Sequence, residues 1–417
     1  MNLRSKLSNP YLVFTIIYLF MIVVAFFLDS PYEILNGLKN IILTPDILIT
    51  DYIEIGGVGA TLVNAALTSL ICTFILIKLK IKANGSTIIA LWLMTGFSFF
   101  GKNLLNIWPI MIGVALFARY QKQPLLNYSL VMMLSTTLAP TSSQLSFVSD
   151  NIFVSLACGS ILGIFIGFIL SPIATHCISA HGGFNLYNIG FASGLLATLV
   201  MSAFRSFGIN FEARLIWDKD NTLILSILLI IICIYLIIIG FYIGNNNINN
   251  LKSLVKHPGR LVSDFYILYG GTAYINMGLV GIFSTLYISI LGSDINGPII
   301  AGIMTIMGFG AFGKHLKNII PVMLGATLAA IIYPEPVYSP SLSLAILFST
   351  CLAPISGKFG YKIGILAGIL HVFLVMNVGY LHGGLNLYNN GLAGGLVAMI
   401  LIPLITTFKK DVKKDEV

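Results

Sequence analysis

One 17-residue phrase is written twice in this chain, so any fold must accommodate two copies of one unit. HGGFNLYNIGFASGLLA begins at His181 and HGGLNLYNNGLAGGLVA at His382, 201 residues later, with 12 of 17 positions identical. The identities fall mainly on His, Gly, Asn and Tyr, whereas most of the differences are at apolar positions. Leu, Ile and Val interchange readily in a membrane. A polar signature kept in both copies marks a site used twice.

Composition places that site in a lipid bilayer. Hydrophobic residues make up 57% of the 417 and charged residues 9%, with a mean hydropathy of +0.94. A soluble domain carries about 25% charged residues. The length accommodates roughly ten spans of about 20 residues. The net charge of +8 lies in short loops and tails, where it orients a membrane chain, and it is no nucleic-acid footprint. The first apolar run, Tyr11 to Leu28, ends at Asp29-Ser30-Pro31 without a small-x-small cleavage site and reads as a retained span. Cys72, Cys158, Cys177, Cys233 and Cys351 lack metal-ligand spacing and read as small buried hydrophobes.

The duplication runs well beyond the phrase. Asn64 and Asn276, and Asn84-Gly85 and Asn296-Gly297, share an offset of 212, at which 11 of 18 positions from Gly96 to Gly113 are identical. That stretch carries Phe100-Gly101-Lys102 against Phe312-Gly313-Lys314, then Asn106 and Pro109 against Asn318 and Pro321. Ser135 to Pro140 (STTLAP) matches Ser349 to Pro354 (STCLAP) at an offset of 214. Residues 1–215 and 216–417 are therefore read as two membrane repeats.

Charges in equivalent loops give the orientation. Asp29, Glu33, Asp46 and Asp51, with one Lys39, correspond to Lys252, Lys256 and Arg260. Lys78, Lys80 and Lys82 correspond to Asp294, and Arg119 and Lys122 to Glu335. Basic loops stay cytoplasmic, so the alternation predicts inverted repeats with an odd number of spans each. Both tails (Arg4 and Lys6; Lys409, Lys410, Lys413 and Lys414) are then expected on the cytoplasmic side of a bacterial inner membrane.

The runs Tyr11–Leu28, Ile53–Ile77, Ile152–Leu170, Leu223–Ile243, Phe265–Leu291 and Ile363–Val378 are long enough to cross alone. Ile88–Phe100, Leu104–Ala118, Ile299–Phe312 and Leu316–Ile332 are marginal for the hydrocarbon core. Met132–Pro140 and Leu344–Pro354 end at Ala-Pro, where a lost donor and a restricted preceding residue stop a helix. These segments are expected to be re-entrant or broken helices. Interruptions at matching places in two halves point to a transporter site.

Several polar residues are candidates for that site. Asn185 and Asn188, like Asn386 and Asn389, are three apart and share a face if helical. They either present amides to a polar solute across the repeat axis or cap and pack helices. Tyr187 and Tyr388 are expected to shape the site. Lys102 and Lys314, cations kept at equivalent positions, are expected at the two mouths of a pathway or snorkelling at helix ends. Asn106 and Asn318, like Asn64 and Asn276, line a pore or join helices. His181 and His382 repeat but have no carboxylate partner for a metal or proton relay, and His176 and His371 read as structural. Glu54 is nearly the only carboxylate beside an apolar segment. That favours facilitated passage over proton-driven pumping, with Na⁺ coupling through carbonyls left open. No P-loop or acidic cluster calls for a cofactor or a metal.

The two HGGxNLYNxG phrases, the two FGK phrases and the two LAP phrases together resemble an uncharacterised bacterial family of tandemly duplicated membrane domains of unknown function. A second resemblance is to urea-transporter-type channels, which have inverted halves, re-entrant helices and a Tyr-Asn-Gly-x-Leu-x-Gly pattern. Tyr187 to Gly194 and Tyr388 to Gly395 look similar, but an extra residue separates Asn from Gly here, which limits this resemblance to architecture.

The expected protein is an all-α polytopic membrane protein with two inverted repeats of about five spans each, plus re-entrant or broken helices. Its expected function is a channel or transporter passing a small polar solute near the pseudo-two-fold axis, without enzymatic activity. A membrane-embedded enzyme acting on lipid and a non-transporting scaffold are the alternatives. The lipid bilayer, the solute and further copies of the chain in a homo-oligomer are the expected partners.

Overall fold

The computed structural model describes residues 7–244, 249–260 and 263–408. Among them the chain is helical, with two isolated bridges and no strand. The tail cations Arg4, Lys6, Lys409, Lys410, Lys413 and Lys414 lie outside the described residues.

The first half forms α1 (Pro10–Leu28), α2 (Pro31–Leu43), α3 (Tyr52–Gly56), α4 (Val58–Lys78), α5 (Gly85–Phe97), α6 (Trp108–Tyr120), α7 (Ser129–Leu134), α8 (Ala139–Leu145), α9 (Ile152–Ala180) and α10 (Asn188–Ser206). The second forms α11 (Thr222–Ile243), α12 (Asn249–Leu254), α13 (Phe265–Tyr269), α14 (Gly271–Ile290), α15 (Gly297–Phe309), α16 (Leu316–Ile332), α17 (Pro340–Phe348), α18 (Ala353–Phe359), α19 (Tyr361–His382) and α20 (Asn389–Phe408). The order repeats helix for helix, so α1 corresponds to α11 and α10 to α20.

Nine segments among the described residues are long and apolar enough to cross a membrane, with α17 and α18 counting as one. Their outer faces carry Phe26, Phe27, Phe153 and Ile227 exposed, as lipid-facing helices require. This is a multi-pass membrane protein. The runs Ile53–Ile77 and Phe265–Leu291 are each cut near their start, at Gly57 (φ 83°) and Gly270 (φ 52°), where α3 and α13 join α4 and α14.

Cross-links at the helix ends define two faces. Tyr11 Oη donates to Ile81 O at 2.8 Å, placing the start of α1 beside the Lys78–Lys82 turn. Gly59 N donates to Asp29 Oδ2 at 2.7 Å, placing its end beside the start of α4. Following the chain from there, Lys78, Lys80, Lys82, Arg119, Lys122, Lys252, Lys256 and Arg260 fall on one face, here the basic face. Asp29, Glu33, Asp294 and Glu335 fall on the other, the acidic face.

The second half is inverted relative to the first. Equivalent helices α5 and α15 pack antiparallel: a Cβ on Gly96 would lie 3.0 Å from Ala301 Cα, and one on Gly308 would lie 2.9 Å from Trp92 Cβ. Helices α10 and α20 cross at Gly190 and Gly391, where a Cβ on Gly391 would lie 2.7 Å from Gly190 Cα. Small residues permit this approach.

Helices α5 and α6 are 13 residues each, about 20 Å at 1.5 Å per residue. They form a hairpin that enters and leaves by the basic face, and α15 and α16 do the same from the acidic face. The non-helical link within each hairpin exposes carbonyls where lipid offers no donors. Asn64 on α4 donates to Ser98 O at 2.8 Å and Lys102 O at 3.0 Å. Asn276 on α14 donates to Gly310 O and Lys314 O, both at 2.7 Å. These two asparagines join helices and do not line a pore. Replacing either with Leu strands two buried carbonyls and is expected to cost about 1–3 kcal/mol per unsatisfied group. Thermal unfolding in detergent should show a lower midpoint for Asn64→Leu and Asn276→Leu; an unchanged midpoint contradicts this role.

Candidate functional site

The two links deliver their lysines to the opposite repeat. Lys102 Nζ donates to Tyr388 Oη at 2.8 Å, and Lys314 Nζ donates to Tyr187 Oη at 2.6 Å and Thr350 Oγ1 at 2.7 Å. Each ammonium also lies against aromatic faces: Lys102 is 4.9 Å from the Tyr388 ring centroid and Lys314 is 4.5 Å from that of Tyr187. Phe97 packs on Tyr388 and Phe309 on Tyr187, with Phe348 between the two pairs. Both lysines are 0% exposed. They are therefore neither at the mouths nor snorkelling at a helix end, because the motif tyrosines of the other repeat draw them inward.

The repeated phrase forms a turn followed by a helix. Gly182, Gly183, Gly383 and Gly384 all have positive φ, a conformation that favours glycine. The helix begins only at Asn188 and at Asn389, so the two asparagines of each phrase do not share a helix face. Asn185 Nδ2 crosses the axis to Gly391 O at 3.0 Å, and Asn386 Nδ2 to Gly190 O at 3.4 Å. Asn188 and Asn389 stay within their own repeats, their Oδ1 atoms 3.0 and 2.7 Å from Nε2 of His181 and His382, and Asn188 Nδ2 donates to Ala174 O at 2.9 Å.

Asn106 and Asn318 are link residues. Asn106 Nδ2 reaches Asp46 Oδ2 at 2.8 Å and Gly101 O at 3.1 Å, and Asn318 Nδ2 reaches Gly313 O at 2.8 Å. Neither lines the central cavities described next.

Two cavities flank the aromatic cluster. One, of 260 Å³, runs from Ser86 on the basic side and is lined by Phe97, Tyr187, Asn188, Gly190, Phe309, Tyr388 and Gly391. The other, of 330 Å³, lies toward the acidic side and is lined by Phe100, Leu344, Met376 and Asn389. Leu130, Ala174 and Asn188 of the first are the repeat equivalents of Leu344, Val375 and Asn389 of the second. Phe348, Leu387 and Asn390 line both. Leu48 and Ile49 cover the second cavity, held by Leu48 N to Gly384 O and Ile49 N to Arg214 O, each 3.1 Å.

Reading by residue type missed four contributors. Phe348 and Asn390 stand between the cavities, and their equivalents Leu134 and Ile189 gave no polar or aromatic signal. Asp46 and Asp51 counted only as loop charges, yet both are 0% exposed. Asp51 lies against the Gly297 amide that opens α15, as Asp264 accepts from the Gly85 amide opening α5 at 2.8 Å. The shared offset of 213 between Asp51 and Asp264 was the available clue.

A family model described as protein of unknown function (DUF1576) matches residues 30–206 and 243–407. Each region begins where the first helix of a repeat ends and finishes in its last helix. No curated protein and no solved structure matches the chain.

Asp46 and Asp51 bracket Leu48 and Ile49 over the second cavity. Asp46 accepts from Tyr52 Oη at 2.7 Å, and Asp51 from Ile53 N at 3.0 Å and Asp218 N at 3.1 Å. Burial pushes the Asp46 carboxyl up to about 6 and the Asp51 carboxyl up to about 7, with Asp218 adding to the second shift. A carboxyl raised on folding stabilises the folded loop fully below its ordinary value, and that stability is lost as pH rises through the folded value. Amide exchange at residues 47–50 is expected to quicken as pH climbs from 4 through 7, beyond its intrinsic base dependence. Asp51→Asn should flatten the upper part of that profile. A wild-type profile that follows intrinsic exchange alone contradicts the assignment.

Proposed function

The chain belongs to the DUF1576 family along both repeats, and we propose that it is a channel or transporter for a small polar solute. The carrying observation is the pair of repeat-related cavities that meet at Phe348, Leu387 and Asn390. An inverted repeat supplies one vestibule per face from the same residues, the arrangement alternating access or a symmetric pore needs. Volumes of 260 and 330 Å³ suit a solute of a few heavy atoms, since water occupies about 30 Å³ in the liquid. Asn188 and Asn389 line the two cavities at equivalent positions, Tyr187 and Tyr388 shape the centre, and Phe348 acts as the constriction.

In this reading the basic face is cytoplasmic, in a bacterial inner membrane, because basic loops are retained on that side. The protein carries out no covalent chemistry on its solute. The buried carboxylates of the 44–51 loop remove one sequence argument for purely passive passage, so ion coupling stays within the proposal.

Solute flux in proteoliposomes tests the reading. Phe348→Ala is expected to raise flux several-fold, and Asn188→Leu or Asn389→Leu to lower it. Unchanged flux in all three folded variants removes the pathway assignment. Single cysteines at Lys80 and Lys256 are expected to label from the cytoplasm, and one at Asp294 from outside. Labelling of Lys80 and Lys256 from opposite sides would sink the inverted topology.

A further inference from the structure

We propose that the solute is a small, weakly hydrated monovalent anion, bound where the N-termini of α10 and α20 cross between Lys102 and Lys314. This rests on the pathway reading and goes further by assigning the solute's charge. The first turns of both helices line the 260 Å³ cavity through Gly190 and Gly391. Each N-terminus brings roughly half a positive charge; the Gly391 amide is committed to Tyr388 O at 2.8 Å.

A side chain supplies independent evidence. Asn390 is 9% exposed and lines both cavities. Its Oδ1 lies 2.9 Å from His371 Nε2, while its Nδ2 has no acceptor among the described residues. That leaves an unused donor at the junction.

The remaining polar groups have the same sense. Tyr388 accepts a lysine N–H on oxygen, which leaves its own hydroxyl hydrogen to donate. The acceptors of both lysines are Tyr, Thr and Met atoms, and no carboxylate among the described residues contacts either. The amide oxygen on the wall is already engaged, Asn188 Oδ1 facing His181. A neutral amide solute would need acceptors as well as donors. An anion needs donors alone, and a centre without a carboxylate offers a cation no counter-charge. The aromatic walls exclude a strongly hydrated dianion, whose desolvation is far more costly.

The full-length protein in proteoliposomes is assayed with nitrate, urea and K⁺ as probes. Nitrate flux with K⁺ excluded at least tenfold is expected. Asn390→Leu and Tyr388→Phe, which keep the side-chain shape, should each lower nitrate flux about tenfold, and Lys102→Met at least as much. If Lys102→Met does not fold, the other two variants carry the test. Urea passing without nitrate overturns the anion and leaves the pathway standing. K⁺ passing as well as nitrate, or unchanged nitrate flux in folded Asn390→Leu and Tyr388→Phe, also overturns it. No flux of any probe removes the pathway reading itself.

Discussion

Two helices stop inside the membrane, and the carbonyls they release must be satisfied by protein. Asn64 and Asn276 do this with one amide each, holding two carbonyls of the link in place. Once the link is held, Gly101 and Gly313, at φ 78° and 110°, turn the chain so that the next residue, a lysine, points away from its own repeat. The lysine then meets the tyrosine of the other repeat. The cross-repeat pairs thus follow from a backbone constraint. The same logic runs outward: Asp51 and Asp264 each approach the starting amide of a central helix in the opposite half.

Burying two lysines is costly. A cation at a bilayer centre costs about 2.5–3.5 kcal/mol on insertion scales, with larger values from other approaches. Oxygen acceptors, aromatic faces at 4.5–5.3 Å and the absence of lipid contact offset part of this. Phenol oxygens and rings stabilise an ammonium without neutralising it, as a carboxylate would. The centre therefore holds two lysine nitrogens and two helix N-termini with no carboxylate in contact with either lysine among the described residues.

Fold class and inversion were legible in the sequence because polar identities stand out in an apolar chain and loop charges alternate. The offsets 201, 212 and 214 identified equivalent residues, yet equivalence does not tell which residue meets which. Lys102 pairs with Tyr388 and not with Tyr187, a fact visible only once α10 and α20 cross at Gly190 and Gly391. Asn185 and Asn188 misled for a local reason: the double glycine carries the turn so far that the helix begins at the second asparagine. Asp46 and Asp51 misled because a charged stretch between spans looks solvated. Only the packing of Tyr52, Asn103 and Asn106 around Asp46 reveals it as interior.

The places where the repeats differ are as informative as those where they agree. Thr137 accepts from Tyr388 N and donates to Asn386, but its equivalent is Cys351, which supplies no comparable contact to Asn185. Leu134 becomes Phe348, and Ile189 becomes Asn390. Two of these changes lie on the cavity walls, and both place the bulkier or more polar residue in the second repeat. A perfectly symmetric centre would present each face with the same constriction and the same donors. Here the second repeat places Phe348 and Asn390 between the cavities, while the first has Leu134 and Ile189 at the equivalent positions. Duplication built the two cavities, and divergence at these positions made the centre between them asymmetric.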